Sequence, residues 1–138
     1  MELRIEFTKG VGDLQFGQSI SQVTELIGEP TETEQIGEDM EMPTTVLHYT
    51  ETGLSLFFEN TSKEALVCID IHSQEATLFG QKTADKTPQE ITRLLKDNNI
   101  TDIEYDKEAP NEERISSEQN SADFYFYDNK LESITIGR

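Results

Sequence analysis

The sequence predicts an α+β fold made of two tandem copies of a helix followed by a three- to four-stranded antiparallel sheet, with the sheets joined and the helices on one face. Three observations point there: a capped amphipathic helix that occurs twice, alternating aromatic strands that recur at the helices' own offset, and a lean composition. Of 138 residues 34% are hydrophobic. Leu, Ile, Val and Phe make up about a quarter, above the ~20% level below which a highly charged chain stays unfolded. One small core is within reach, and the repeat divides the chain into a first unit over 1–78 and a second over 79–138 of one globular whole.

In chain order, Leu3, Ile5 and Phe7 alternate with Glu2, Arg4 and Glu6, the pattern of an amphipathic first strand. Phe16-Gly17-Gln18-Ser19 then leads into a helix over 19–27. Ser19 with Gln22 spells a capping box, Ile20, Val23, Leu26 and Ile27 form an apolar stripe, and Gly28 and Pro30 stop the helix. A polar stretch, Thr31 to Pro43, reads as a mobile loop or irregular edge strand. Strands follow at Thr44–Thr50, Leu54–Asn60 and Leu66–Ile71, with a turn through Asn60-Thr61-Ser62-Lys63.

The second half repeats the design. Thr87, Pro88 and Glu90 open a helix over 87–96, and Ile91, Leu94 and Leu95 stand 68 residues after Val23, Leu26 and Ile27. Ala122–Asp128 stands 68 residues after Leu54–Asn60, and Leu131–Ile136 hairpins back from it. The polar segment from Tyr105 to Ser121 reads as a mobile loop or irregular edge strand, with a weak strand at Arg114–Ser117. Phe79-Gly80-Gln81 echoes Phe16-Gly17-Gln18 ahead of its helix.

Phe16, Gly17, Ser19, Val23, Leu26, Ile27, Gly28 and Pro30, followed by Leu47 and Tyr49 on a strand, form a unit that resembles the SmpA/OmlA outer-membrane lipoprotein family and the β-lactamase inhibitor protein superfamily. The likeness spans residues 10 to 72 well and 79 to 138 loosely. It implies the tandem helix-plus-sheet arrangement and a binding role. The lipoproteins carry an acylated cysteine near their start and the secreted inhibitors carry disulfides, and neither feature is in this sequence.

The net charge of −17, from 28 acidic and 11 basic residues, repels phosphate backbones and anionic lipid. Nucleic acid and membrane surfaces are therefore not expected partners. The acidity either keeps the chain soluble or attracts a basic protein. A single Cys excludes an internal disulfide framework. No stretch reaches the ~18 apolar residues of a membrane span, and no secretory pattern opens the chain, so the expected setting is cytoplasmic unless a leader has been removed.

Cys68, Asp70 and His72 share one strand face, but side chains two apart sit ~6.5 Å from each other, too far for one to activate another. His48, His72 and Asp70 could meet across strands as metal ligands, yet they lack a further His or a second Cys, and no metal is expected. Asp97 to Glu108 places oxygen ligands at positions one, three, five and twelve of a calcium loop, with Asp102 where the turn requires glycine. Neither catalysis nor a cofactor is expected. If Leu54, Leu56, Phe58, Ile69, Ile71, Phe124, Phe126, Ile134 and Ile136 face the helices, alternation puts Phe57, Asp70, His72, Asp123, Tyr125 and Tyr127 on the opposite face as candidate partner-binding residues. The function expected is a non-enzymatic protein-binding module, an inhibitor or immunity-type protein for a basic partner. The alternatives are an envelope-assembly or scaffold domain, and an enzyme whose motif is unfamiliar.

Overall fold

Both capping boxes form. In the computed structural model, which describes residues 1–37, 43–60 and 63–138, Ser19 Oγ accepts from the Gln22 N–H at 3.2 Å and Gln22 Oε1 accepts from the Ser19 N–H at 2.9 Å. Helix α1 runs Ile20–Ile27. Thr87 and Glu90 exchange the same bonds at 3.2 and 3.1 Å ahead of α2, Pro88–Asp97. Gly28 ends α1 at φ 85°, and the Tyr49 hydroxyl donates to its carbonyl at 2.8 Å, which ties the helix to the sheet. The two helices bury different amounts. α2 buries Pro88, Ile91, Leu94 and Leu95, whereas α1 buries Val23, packs Ile20 and Ile27 partly against the core and leaves Leu26 of the expected stripe half exposed.

The remaining described elements are strands: β1 Arg4–Glu6, β2 Gly10–Val11, β3 Leu14–Gln15, β4 Glu32–Ile36, β5 Thr44–Tyr49, β6 Leu54–Asn60, β7 Glu64–Ile71, β8 Thr77–Leu78, β9 Gln81–Lys82, β10 Ile103–Ala109, β11 Glu112–Ser117, β12 Ala122–Tyr127 and β13 Lys130–Gly137. The large sheet has the order β10-β11-β12-β13-β7-β6-β5-β4, antiparallel throughout. One row on its covered face runs Ile115, Phe124, Ile134, Ile71, Leu54, Tyr49, each opposite the next and each no more than 5% exposed. Bulges after Phe57 and after Tyr125 bring Phe58 opposite Leu66 and Phe126 opposite Leu131, all four buried.

The α+β expectation of two tandem helix-plus-sheet copies is overturned. Among the described residues the protein is mostly β, with thirteen strands in two sheets and only two short helices. The expectation omitted a second sheet of five very short strands in the order β3-β2-β1-β8-β9, in which β1 pairs parallel with β8. Alternation marked β1 alone; the other four strands have two residues each, too few to show it, and a parallel pairing between the chain start and its middle leaves no local mark. The segment expected as a mobile loop or irregular edge strand, Tyr105 to Ser121, contains most of edge strand β10 and all of β11. An edge strand bonds a neighbour on one side only and can be polar throughout, so its composition mimics a loop. β4 occupies the other edge, fully exposed. The rest of the expected Thr31–Pro43 loop, at 38–42, and the turn residues 61–62 lie outside the described residues.

Asp102 pins the entry to β10. Its carboxylate accepts from Ser117 Oγ at 2.8 Å and from the Gln119 N–H at 2.8 Å. These bonds hold it below the usual carboxylate range, the backbone bond most strongly. A folded-state value below the unfolded one contributes stability that is present above pH ~4 and lost as pH falls through the folded value. Asp102→Ala should therefore lower the urea midpoint at pH 7, with the gap to wild type closing below pH 4. In the same assay Thr87→Ala should cost ~1 kcal/mol through its lost cap and Phe124→Ala ~3 to 5 kcal/mol through the cavity left in the covered row.

Candidate functional site

Opposite the core, the large sheet presents a second row that crosses seven strands: Ser116, Asp123, Thr135, Asp70, Ser55, His48 and Glu32, each the register partner of the next. Alternation within each strand sends these side chains to the face away from the helices. All of them stay half-buried or exposed. Hydrogen bonds hold the polar side chains of this row. Ser116 Oγ donates to Asp123 Oδ1 at 2.6 Å, and Thr135 Oγ1 donates to Asp70 Oδ1 at 2.6 Å. His48 lies between Ser55 Oγ, 2.8 Å from Nδ1, and Glu34 Oε1, 3.0 Å from Nε2, and so links β6 and β5 to edge strand β4.

The six residues expected on this face distribute as follows. Asp70 and Asp123 flank Thr135 in the central row. Tyr125 is the next open-face residue along β12, opposite Arg114 and Ser133. Phe57 pairs with Cys68 one step to the other side of the row and is half-buried. Tyr127 lies at the end of β12 opposite Glu112 and is half exposed. His72 follows the last residue of β7 and is exposed. The register thus brings Asp70, Asp123 and Tyr125 to the centre, while Phe57, Tyr127 and His72 lie around it.

Sequence reasoning missed Arg114, Thr135, Ser116 and Ser55. Arg114 is the cation of this region: Nη2 lies 3.1 Å from Asp106 Oδ2, and the buried Nε lies 3.4 Å from Glu108 Oε1 without hydrogen-bond geometry. The hydroxyls carry no sequence signal of their own, because their role depends on which residue of the neighbouring strand they oppose.

Two pKa shifts report the local field. Burial, then the charges of Asp70 and Asp123, push the Cys68 thiol up to about 11, opposed by a bond from the Ile69 N–H. Burial, then Asp123, also raises Tyr125, which Arg114 partly offsets. A thiol held protonated is a poor nucleophile, so Cys68 is chemically quiet at neutral pH. Among the described residues no three His, Cys, Asp or Glu side chains converge on a metal position. Asp97 to Glu108 forms the end of α2 and most of β10, and its Asp102 carboxylate is engaged as described. In the native protein at pH 8, alkylation of Cys68 by iodoacetamide should run more than tenfold slower than in the urea-unfolded chain, where the thiol returns toward its ordinary value of ~8.5. Equal rates in the two states would contradict the buried, anion-flanked thiol.

No family model matches the chain, and no curated protein matches it. Among solved structures, the 1.5 Å crystal structure of an extracellular protein containing an SCP domain from Bacillus anthracis str. Ames is similar, with a TM-score of 0.49 and 12% identity. The match covers 95% of this chain and 49% of that one, so this chain spans about half the length of that protein. Among the described residues no helix is long and apolar enough to cross a membrane.

Proposed function

We propose that this chain is a non-enzymatic protein-binding module that occludes a basic partner protein with the open face of its large sheet. The observation that supports this is the central row. Asp70 and Asp123 are half-buried carboxylates, each oriented by a hydroxyl donor, and neither forms an ion pair among the described residues. Among the described residues no side-chain hydrogen bond engages the second oxygen of either. Carboxylates already fixed in place lose little side-chain entropy when a partner's Lys or Arg arrives. Tyr125 beside them offers an aromatic body with a polar tip, the residue type that anchors protein interfaces. The net charge of −17 adds long-range attraction for a cationic protein. The proposal includes a cytoplasmic setting, where the lone thiol stays reduced.

The test begins with capture from the native host at ~0.05 M salt on immobilised wild type beside an Asp70→Lys, Asp123→Lys double variant. A partner retained by wild type and lost by the variant is then measured kinetically. Association should slow as salt rises through ~0.15 M, where the screening length is about 8 Å. Asp123→Asn should reduce the on-rate, while Tyr125→Ala should cost ~2 kcal/mol and act on dissociation. Wild-type rates for both single variants would place the binding surface elsewhere.

A further inference from the structure

A second site lies away from the acidic face. Between β1, the β8–β9 turn and the end of α2 is a cleft of about 520 Å³, whose walls include Ile5, Phe7, Phe79 and Ile100 beside the polar Asn98 and Asn120, and whose charged lining is Arg4, Glu6 and Lys9. That volume falls within the ~300 to 1,000 Å³ of ordinary small-molecule sites. Phe79 is the unusual member. It is 42% exposed and holds φ at 51°, the left-handed region that a bulky L residue rarely enters. Its ring stands edge-on to Phe7 at 5.9 Å between centroids, and Phe7 stands edge-on to Phe124, fully buried in the core, at 6.3 Å. The core thus braces an aromatic side chain out toward solvent, in a backbone conformation that costs stability.

The rim supplies a charge. Arg4 is neutralised by Glu2 at 3.7 Å and Glu6 at 3.2 Å, but Lys9 makes no ion pair among the described residues. With Glu6 of the lining held by Arg4, a cleft with aromatic walls and an ammonium group outside any ion pair among the described residues suits an amphiphile with a single negative charge. We infer that this cleft binds a small aryl- or alkyl-carboxylate, its apolar body against Phe79, Phe7 and Ile100 and its carboxylate at Lys9. This goes beyond the protein-binding role and uses none of its residues.

The test uses 4-phenylbutyrate and its uncharged primary amide as probes, followed by amide chemical shifts of the full chain. The carboxylate should shift Ile5, Phe7, Gly80 and Ile100 and leave the open-face residues His48, Ser55 and Asp70 unmoved. Phe79→Gly keeps the left-handed backbone without strain and so should fold, yet it should weaken binding by about tenfold. Lys9→Gln should weaken the carboxylate about fivefold and leave the amide unaffected. Equal affinity of wild type for carboxylate and amide, wild-type affinity in Phe79→Gly, or shifts confined to other regions would each overturn the inference.

Discussion

The antiparallel pairing of β7 with β13 is the contact on which the rest of the structure depends. On the covered side it sets Ile71 against Ile134 and Ile69 against Ile136, all buried. On the open side the same register places Thr135 beside Asp70, 2.6 Å from hydroxyl to carboxylate. A shift of one residue would exchange the faces and send the isoleucines to solvent, so burial of the core and assembly of the acidic row are fixed by one register. The pairing also turns two four-stranded runs into one sheet whose apolar central strands have no free edge. Its actual edges, β4 and β10, are acidic strands with no buried residue. Charged edges discourage further strand addition, which makes them a natural place for acidic side chains.

What the sequence revealed was local. Capping boxes at Ser19–Gln22 and Thr87–Glu90 are read from four residues and formed as expected, because a cap depends only on its own turn. The central strands around Phe58 and Phe124 were legible from alternation, as was the division of their side chains between two faces. The fold class was not. Treating one offset as the plan of the whole molecule left out the small sheet, whose pairing of β1 with β8 joins residues more than seventy apart. It also gave α1 the same apolar stripe as α2, although an eight-residue helix resting on Val23 has no neighbour to cover Leu26.

The candidate site was legible to the same degree. Alternation named Asp70, Asp123 and Tyr125 as residues of one face, yet nothing local says that Asp123 and Asp70 are separated by one strand and share Thr135 between them. That relation depends on turn lengths and on the bulges after Phe57 and Tyr125, which reset the pairing partway along each hairpin. The pKa shifts follow from it: the Cys68 thiol rises because burial and two carboxylates coincide, and both carboxylates reach it only in this register. The molecule thus holds oriented carboxylates on the open face, and at the cleft of the small sheet an ammonium group, Lys9, that makes no ion pair among the described residues.

If the β7–β13 register organises both faces, those two strands must open only when the whole molecule does. Native-state amide hydrogen exchange measures this directly. The account predicts that amides of Ile69, Ile71, Ile134 and Ile136 exchange with the full free energy of global unfolding and shift together with it when a distant core residue such as Leu56 is truncated. Exchange of β13 through a lower-energy opening that leaves β7 protected would contradict it, since the open-face row would then be the accidental meeting of two separately stable sheets.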